Sequence, residues 1–160
     1  MNTTFVCGDT LRRPIPAYIE HAQHSNMPIS GKDSAPFTSA KSMMILIAGP
    51  YRSGTIDDPT LIRKNVELME SYSLPIFRAG YIPILGEWLA LPLAALAGST
   101  KIGDEPFNEV FHPIAVRLLE KCDAVLRVGG PSVGADEMVR VGRSLGLKIY
   151  NSLKEIPGSE

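Results

Sequence analysis

"MILIAGPYRSGTIDDP", residues 44–59, decides how the rest of the chain is read. Five apolar residues end abruptly at Gly49-Pro50, a Gly/Ser/Thr loop follows, and Asp58-Pro59 opens a new segment. A short continuous apolar run bounded by turn residues fits a strand buried on both faces of a parallel sheet. Asp58 reads as a helix N-cap and Pro59 as the first helical residue, where its missing N–H costs nothing. Strand, Gly-rich loop and helix together start an α/β unit.

Downstream the same alternation continues. Leu61, Ile62, Val66 and Met69 share one helical face, Pro75 predicts a kink or late break, and Gly80 lies past the end. "YIPIL" (81–85) reads as a second strand, placed near an edge by Pro83. "GEWLALPLAALAG" (86–98) reads as a short helix or a structured loop, and "EPFNEVFHPIAVRLLEKC" (105–122) as a helix interrupted or bent at Pro113. "DAVLRVG" (123–129) is a third strand, "GADEMVRVGRSLG" (134–146) a helix and "LKIYN" (147–151) a fourth strand. This pattern predicts an α/β fold, a Rossmann-like three-layer sandwich around a short, mainly parallel sheet of four to five strands. The strand at 44–48 is expected at its centre, beside the one at 123–129.

Composition bounds the function classes. The 160-residue chain has room for one domain of ordinary size, and 44% apolar with 21% charged residues is the profile of a globular protein. A net charge of −1 gives no basic surface for nucleic acid, so no nucleic-acid partner is expected. The longest apolar stretch, "WLALPLAALA" (88–97), is half a membrane span and contains Pro92, so no membrane partner is expected either. Cys7 and Cys122 have no metal-ligand spacing, and a reduced, cytoplasmic setting is the economical reading. His21 and His24 could bind a metal by spacing but have no further ligand nearby, so no metal site is expected. Residues 1–42, rich in Pro, Ser, Thr, Asn and His, read as an extended or partly disordered arm that adds little to the core of a domain at 43–160.

In open parallel sheets ligands bind beyond the carboxyl ends of the strands. Two loops fall there, residues 49–59 and "GGPSVGAD" (129–136), and both run into helix N-termini that favour anions. Gly49, Pro50, Tyr51, Arg52 and Ser53 in the first loop, and Gly130, Ser132 and Gly134 in the second, are the candidate substrate-binding residues. Glu87 and Trp88 follow the second strand at the same end; a carboxylate beside an indole could grip a base, although a tryptophan is more often core. Asp136 and Glu137 are the candidate catalytic carboxylates, Glu137 held ionised by the helix dipole. Plain helix-capping explains the same two acids equally well. His112, just before Pro113, reads as structural.

"ILIAGPY", "CDAVLRVGG", the Ser-x-Gly-Ala with an acid at 132–136, and "LGLKIY" together resemble the nucleoside 2-deoxyribosyltransferase superfamily, over about Met43 to Tyr150. The resemblance implies a flavodoxin-like sheet and no cofactor. It also implies a nucleoside or nucleoside 5′-monophosphate substrate, and cleavage or transfer at the N-glycosidic bond through a helix-borne carboxylate. It further implies subunits that complete one another's sites, hence a homodimer or higher homo-oligomer. In that family the glutamate stands four residues after the loop glycine, a position held here by Met138; Glu137 comes one residue early, about 100° round an ideal helix. "GGPSVGADE" (129–137) also resembles the loop of lysine-decarboxylase-like phosphoribohydrolases, where Glu137 falls in register. A nucleotide-binding module without turnover is the alternative from another class.

Overall fold

A computed structural model of the chain describes residues 42–159. The expectations for the N-terminal arm, Cys7, His21 and His24 lie outside the described residues. Strand β1 (Met44–Ala48) leads through a ten-residue loop to helix α1 (Pro59–Ser71). Asp58 caps α1 by accepting the Thr60 N–H at 2.7 Å, with Pro59 in the first turn. The helical run then breaks at Tyr72 and resumes as α2 (Ser73–Arg78). Pro75 has no N–H to offer the Ser71 carbonyl and its ring crowds that position, which is the break expected from the proline.

Strand β2 (Ile82–Ile84), helix α3 (Gly86–Leu96), helix α4 (Glu105–Leu119), strand β3 (Ala124–Arg127), helix α5 (Val133–Ser144) and strand β4 (Lys148–Tyr150) follow, with a short 3₁₀ turn at Leu153–Glu155. The segment at 86–98 is therefore a helix that accommodates Pro92, and α4 runs through Pro113 without interruption.

All four strands are parallel, in the order β2-β1-β3-β4. β1 is interior, pairing Ile45 with Ala124 on one side and with Pro83 on the other. Pro83 is tolerated because β2 is an edge strand. Side chains alternate across the pleat and split the core in two. Ile45 and Ile47 pack with Met69, Ile76, Leu126 and Ile156, whereas Leu46 and Ala48 pack with Leu119, Val125, Ala135, Met138 and Val139. α1 and α2 thus cover one face, α4 and α5 the other, and α3 packs along α4. α5 buries Ala135, Met138, Val139 and Gly142, whereas Leu145, at its C-cap, is exposed.

Strand order reverses between β1 and β3. The chain first moves from β1 outward to β2, then returns to the other side of β1. A parallel sheet leaves a crevice at such a point, because the two following connections depart to opposite faces.

Candidate functional site

That crevice is a cleft of about 210 Å³ at the carboxyl end of β1. Its walls come from the first loop (Gly49, Tyr51, Arg52, Ser53), the start of α3 (Gly86, Glu87), Ile102 and Gly103 before α4, the α4 face carrying Phe107, Asn108, Phe111 and His112, and the start of α5 (Ser132, Gly134, Met138).

Backbone chemistry shapes both loops. Gly49 lies under Met69, whose Sδ and Cγ would sit 2.9 and 2.8 Å from any added Cβ, so only glycine lets the chain turn off β1 there. Asn65 of α1 donates to the carbonyls of Tyr51 (2.9 Å) and Ser53 (3.3 Å), tying the first loop to its helix. Gly129 ends the β3 segment with φ +73°, in contact with Pro50. The two loops then meet side chain to side chain. The Ser53 hydroxyl donates to Ser132 Oγ at 3.2 Å, and that buried oxygen accepts the Ala135 N–H as the N-cap of α5. Opposite, Asp104 caps α4. Burial works against its charge, but donors from Thr100, Phe107, Ser99 and Lys101 outweigh this and hold its pKa at about 2. This anchors the turn that presents Ile102 and Gly103.

One wall is aromatic. Phe107 and Phe111 stack at 4.5 Å between centroids, and Tyr51 lies 5.0 Å from Phe111 at a 34° tilt. Such a surface suits a flat ring. His112 stands edge-on to Phe111 at 5.9 Å.

Glu87 supplies the acid. It sits in the first turn of α3, where the helix dipole and its own backbone N–H both favour the charged form. Burial outweighs both and pushes its pKa up to about 7. The residue is half-buried and opens onto the cleft. Among the described residues no cation pairs with it.

The other expected positions fall into two groups. Gly49, Tyr51, Arg52, Ser53, Glu87, Ser132 and Gly134 line the cleft together. Pro50 is buried beneath Gly129, and the Gly130 carbonyl accepts from Arg127 at 2.8 Å outside the cleft. Trp88 is neither core nor cleft: one step round α3 from Glu87, it is 41% exposed and donates its indole N–H to Glu70 at 3.1 Å.

The expected catalytic pair also lies outside. Asp136 is exposed and accepts from Arg127 Nε at 2.9 Å; Arg127 donates as well to the Val128 carbonyl, so the pair braces the β3–α5 turn from behind. The side chain of Glu137 is 42% exposed and ion-paired with Arg140 one turn along. Its pKa is lowered by the Arg140 hydrogen bond, with a lesser contribution from the charge of His112 at the rim. The reason is helical register. Met138, buried against the sheet, borders the cleft, and the 100° step per residue carries Glu137 round towards the outer side.

Phe107, Asn108, Phe111 and His112 are among the cleft residues that sequence reasoning did not single out as ligand contacts. With Ala115 they form an i, i+1, i+4, i+5, i+8 stripe on α4. An amide and an imidazole within an otherwise apolar stripe were the available signal. The phenylalanines alone read as core.

Among the described residues no cluster of three His, Cys, Asp or Glu could hold a metal ion, and no helix is long and apolar enough to cross a membrane. No known family model matches the chain, and comparison with curated proteins finds no match.

Proposed function

We propose that the cleft binds a nucleoside or nucleoside 5′-monophosphate and acts at its N-glycosidic bond, with Glu87 as the working carboxyl. The observation that carries this reading is Glu87 itself: a half-buried acid with a raised pKa, lining one cleft with aromatic rings that can take a base. With a pKa about 7 both of its forms are populated at neutral pH, as suits a group that must face positive charge developing at C1′ or exchange a proton with the departing base. The N-terminus of α5 and the Ser53–Ser132 pair suit the sugar and its 5′ end. The sequence resemblance to nucleoside 2-deoxyribosyltransferases points to the same bond. The carboxylate differs, because Glu137 is turned away.

A second reading is a nucleotide-binding module without turnover. Met138 supports it, since it borders the cleft on the helix that was expected to present a carboxylate.

One experiment separates the two. The full chain is incubated with a panel of nucleosides and 5′-monophosphates while base release and thermal stabilisation are followed. Base release that disappears in Glu87→Gln, with stabilisation retained, supports the enzyme. Stabilisation without base release from any member supports the module, and neither effect would overturn both readings.

A further inference from the structure

A half-buried carboxyl facing a binding cleft is free to meet a ligand, and here the protein supplies it with few partners of its own. Glu87 has its own backbone N–H and, among the described residues, no other hydrogen-bond partner and no ion pair. The charged groups around the cleft are committed elsewhere. Arg52 of the first loop forms a two-pronged ion pair with Asp57. On α5 Glu137 is paired with Arg140, and Arg127 of β3 is spent on Asp136 and two carbonyls. Glu70 of α1 accepts the Trp88 indole. Besides Arg52, the titratable groups lining the cleft with Glu87 are Tyr51 of the first loop and His112 on α4.

A neutral hydrogen-bond donor would satisfy an oxygen of Glu87 but leave its charge uncompensated once a bound ring displaces water from the cleft. A cation satisfies both. The opposite requirement, a surface that attracts a cation, is offered by the rings of Tyr51 and Phe111, which line the cleft, with buried Phe107 stacked on Phe111. Acid and aromatic wall line one cleft.

Resting on the nucleotide reading above, we propose that the cleft selects a nucleotide whose base carries a positive charge, a pyridinium or N-alkylated ring, with Glu87 as the residue that determines this specificity. A cationic ring brings its own counter-charge to Glu87 and lies against the aromatic wall. An uncharged ring of the same shape does only the second.

The proposal has a pH signature. A bound cation favours ionised Glu87, so binding tightens as pH rises through the pKa of the free carboxyl. With that value about 7, the ionised fraction rises about tenfold between pH 6 and pH 8.

The test uses the full chain and two probes of one shape, nicotinamide mononucleotide and its reduced, uncharged dihydro form, with adenosine 5′-monophosphate as reference. Dissociation constants are measured by calorimetry at pH 6 and pH 8. The phosphate is common to both probes, so its titration cancels in their ratio. The expected result is a preference for the cationic form that grows about tenfold from pH 6 to pH 8 in the wild type. It should persist in His112→Gln and be lost in Glu87→Gln. Equal binding of the two forms at both pH values, with adenosine 5′-monophosphate still bound, overturns this proposal and leaves the nucleotide reading standing. A pH effect that follows His112 instead of Glu87 overturns the residue assignment. Failure of all three nucleotides to bind overturns the nucleotide reading, and this proposal with it.

Discussion

Replacing Glu87 by glutamine should stabilise the protein at alkaline pH and do little at acid pH. Its pKa rises from 4.5 to about 7 on folding, chiefly by burial, so the folded protein holds the proton more tightly than the unfolded chain. Below pH 4.5 the carboxyl is protonated in both states and costs nothing. Between 4.5 and 7 the unfolded chain releases its proton first, stability falls as pH rises, and above 7 the loss is complete. The full linkage is about 3 kcal/mol, and because the cleft admits water the working range is about 1–3 kcal/mol. Glutamine has nearly the same shape and no proton to lose. Thermal unfolding of wild type and Glu87→Gln, followed by circular dichroism from pH 4 to pH 8, should therefore give midpoints that coincide near pH 4. They should separate by roughly 3–10 °C at pH 8, glutamine higher. Midpoints that stay parallel over the whole range would refute the claim that Glu87 is half-buried and uncompensated. Both functional proposals would then lose their physical basis.

Other substitutions probe the frame around the cleft. Ser132→Ala removes the N-cap of α5 and the contact with Ser53, and should cost about 0.5–2 kcal/mol in urea denaturation. Gly129→Ala puts a Cβ 2.7 Å from Pro50 Cδ at φ +73°, and should cost about 1–3 kcal/mol while weakening ligand binding, measured by the same denaturation and by calorimetry. Glu137→Gln should leave base release within about twofold of wild type, since an exposed surface ion pair contributes little. Its stability profile should bend opposite to that of Glu87. The Arg140-lowered pKa of Glu137 stabilises the wild type at neutral pH and is lost as pH falls through it, so the difference from glutamine should shrink in acid.

The sequence by itself determined the frame. "MILIA" fits a buried strand, and the alternation of strand and helix signals after it points to a parallel sheet. Pro83 marked the edge, Asp58-Pro59 the start of α1, and Pro75 the break before α2. These features are local: a missing N–H, a capping oxygen and a two-residue pleat act within a few residues of themselves. They also bring the two loops to one end of the sheet, so most of the loop residues expected to bind do line the cleft.

Only the tertiary structure decided which carboxylate faces it. Asp136, Glu137 and Glu87 are all acids near helix N-termini, and their local sequences offer the same chemistry. What separates them is register and crossing. α5 must bury Ala135, Met138 and Val139 against the sheet, and this rotates Glu137 out towards Arg140. α3 packs along α4, which swings Trp88 outward and sets Glu87 beside a face of α4 that reads in sequence as core. Such choices are made by packing between segments far apart in the chain, and no short-range pattern encodes them.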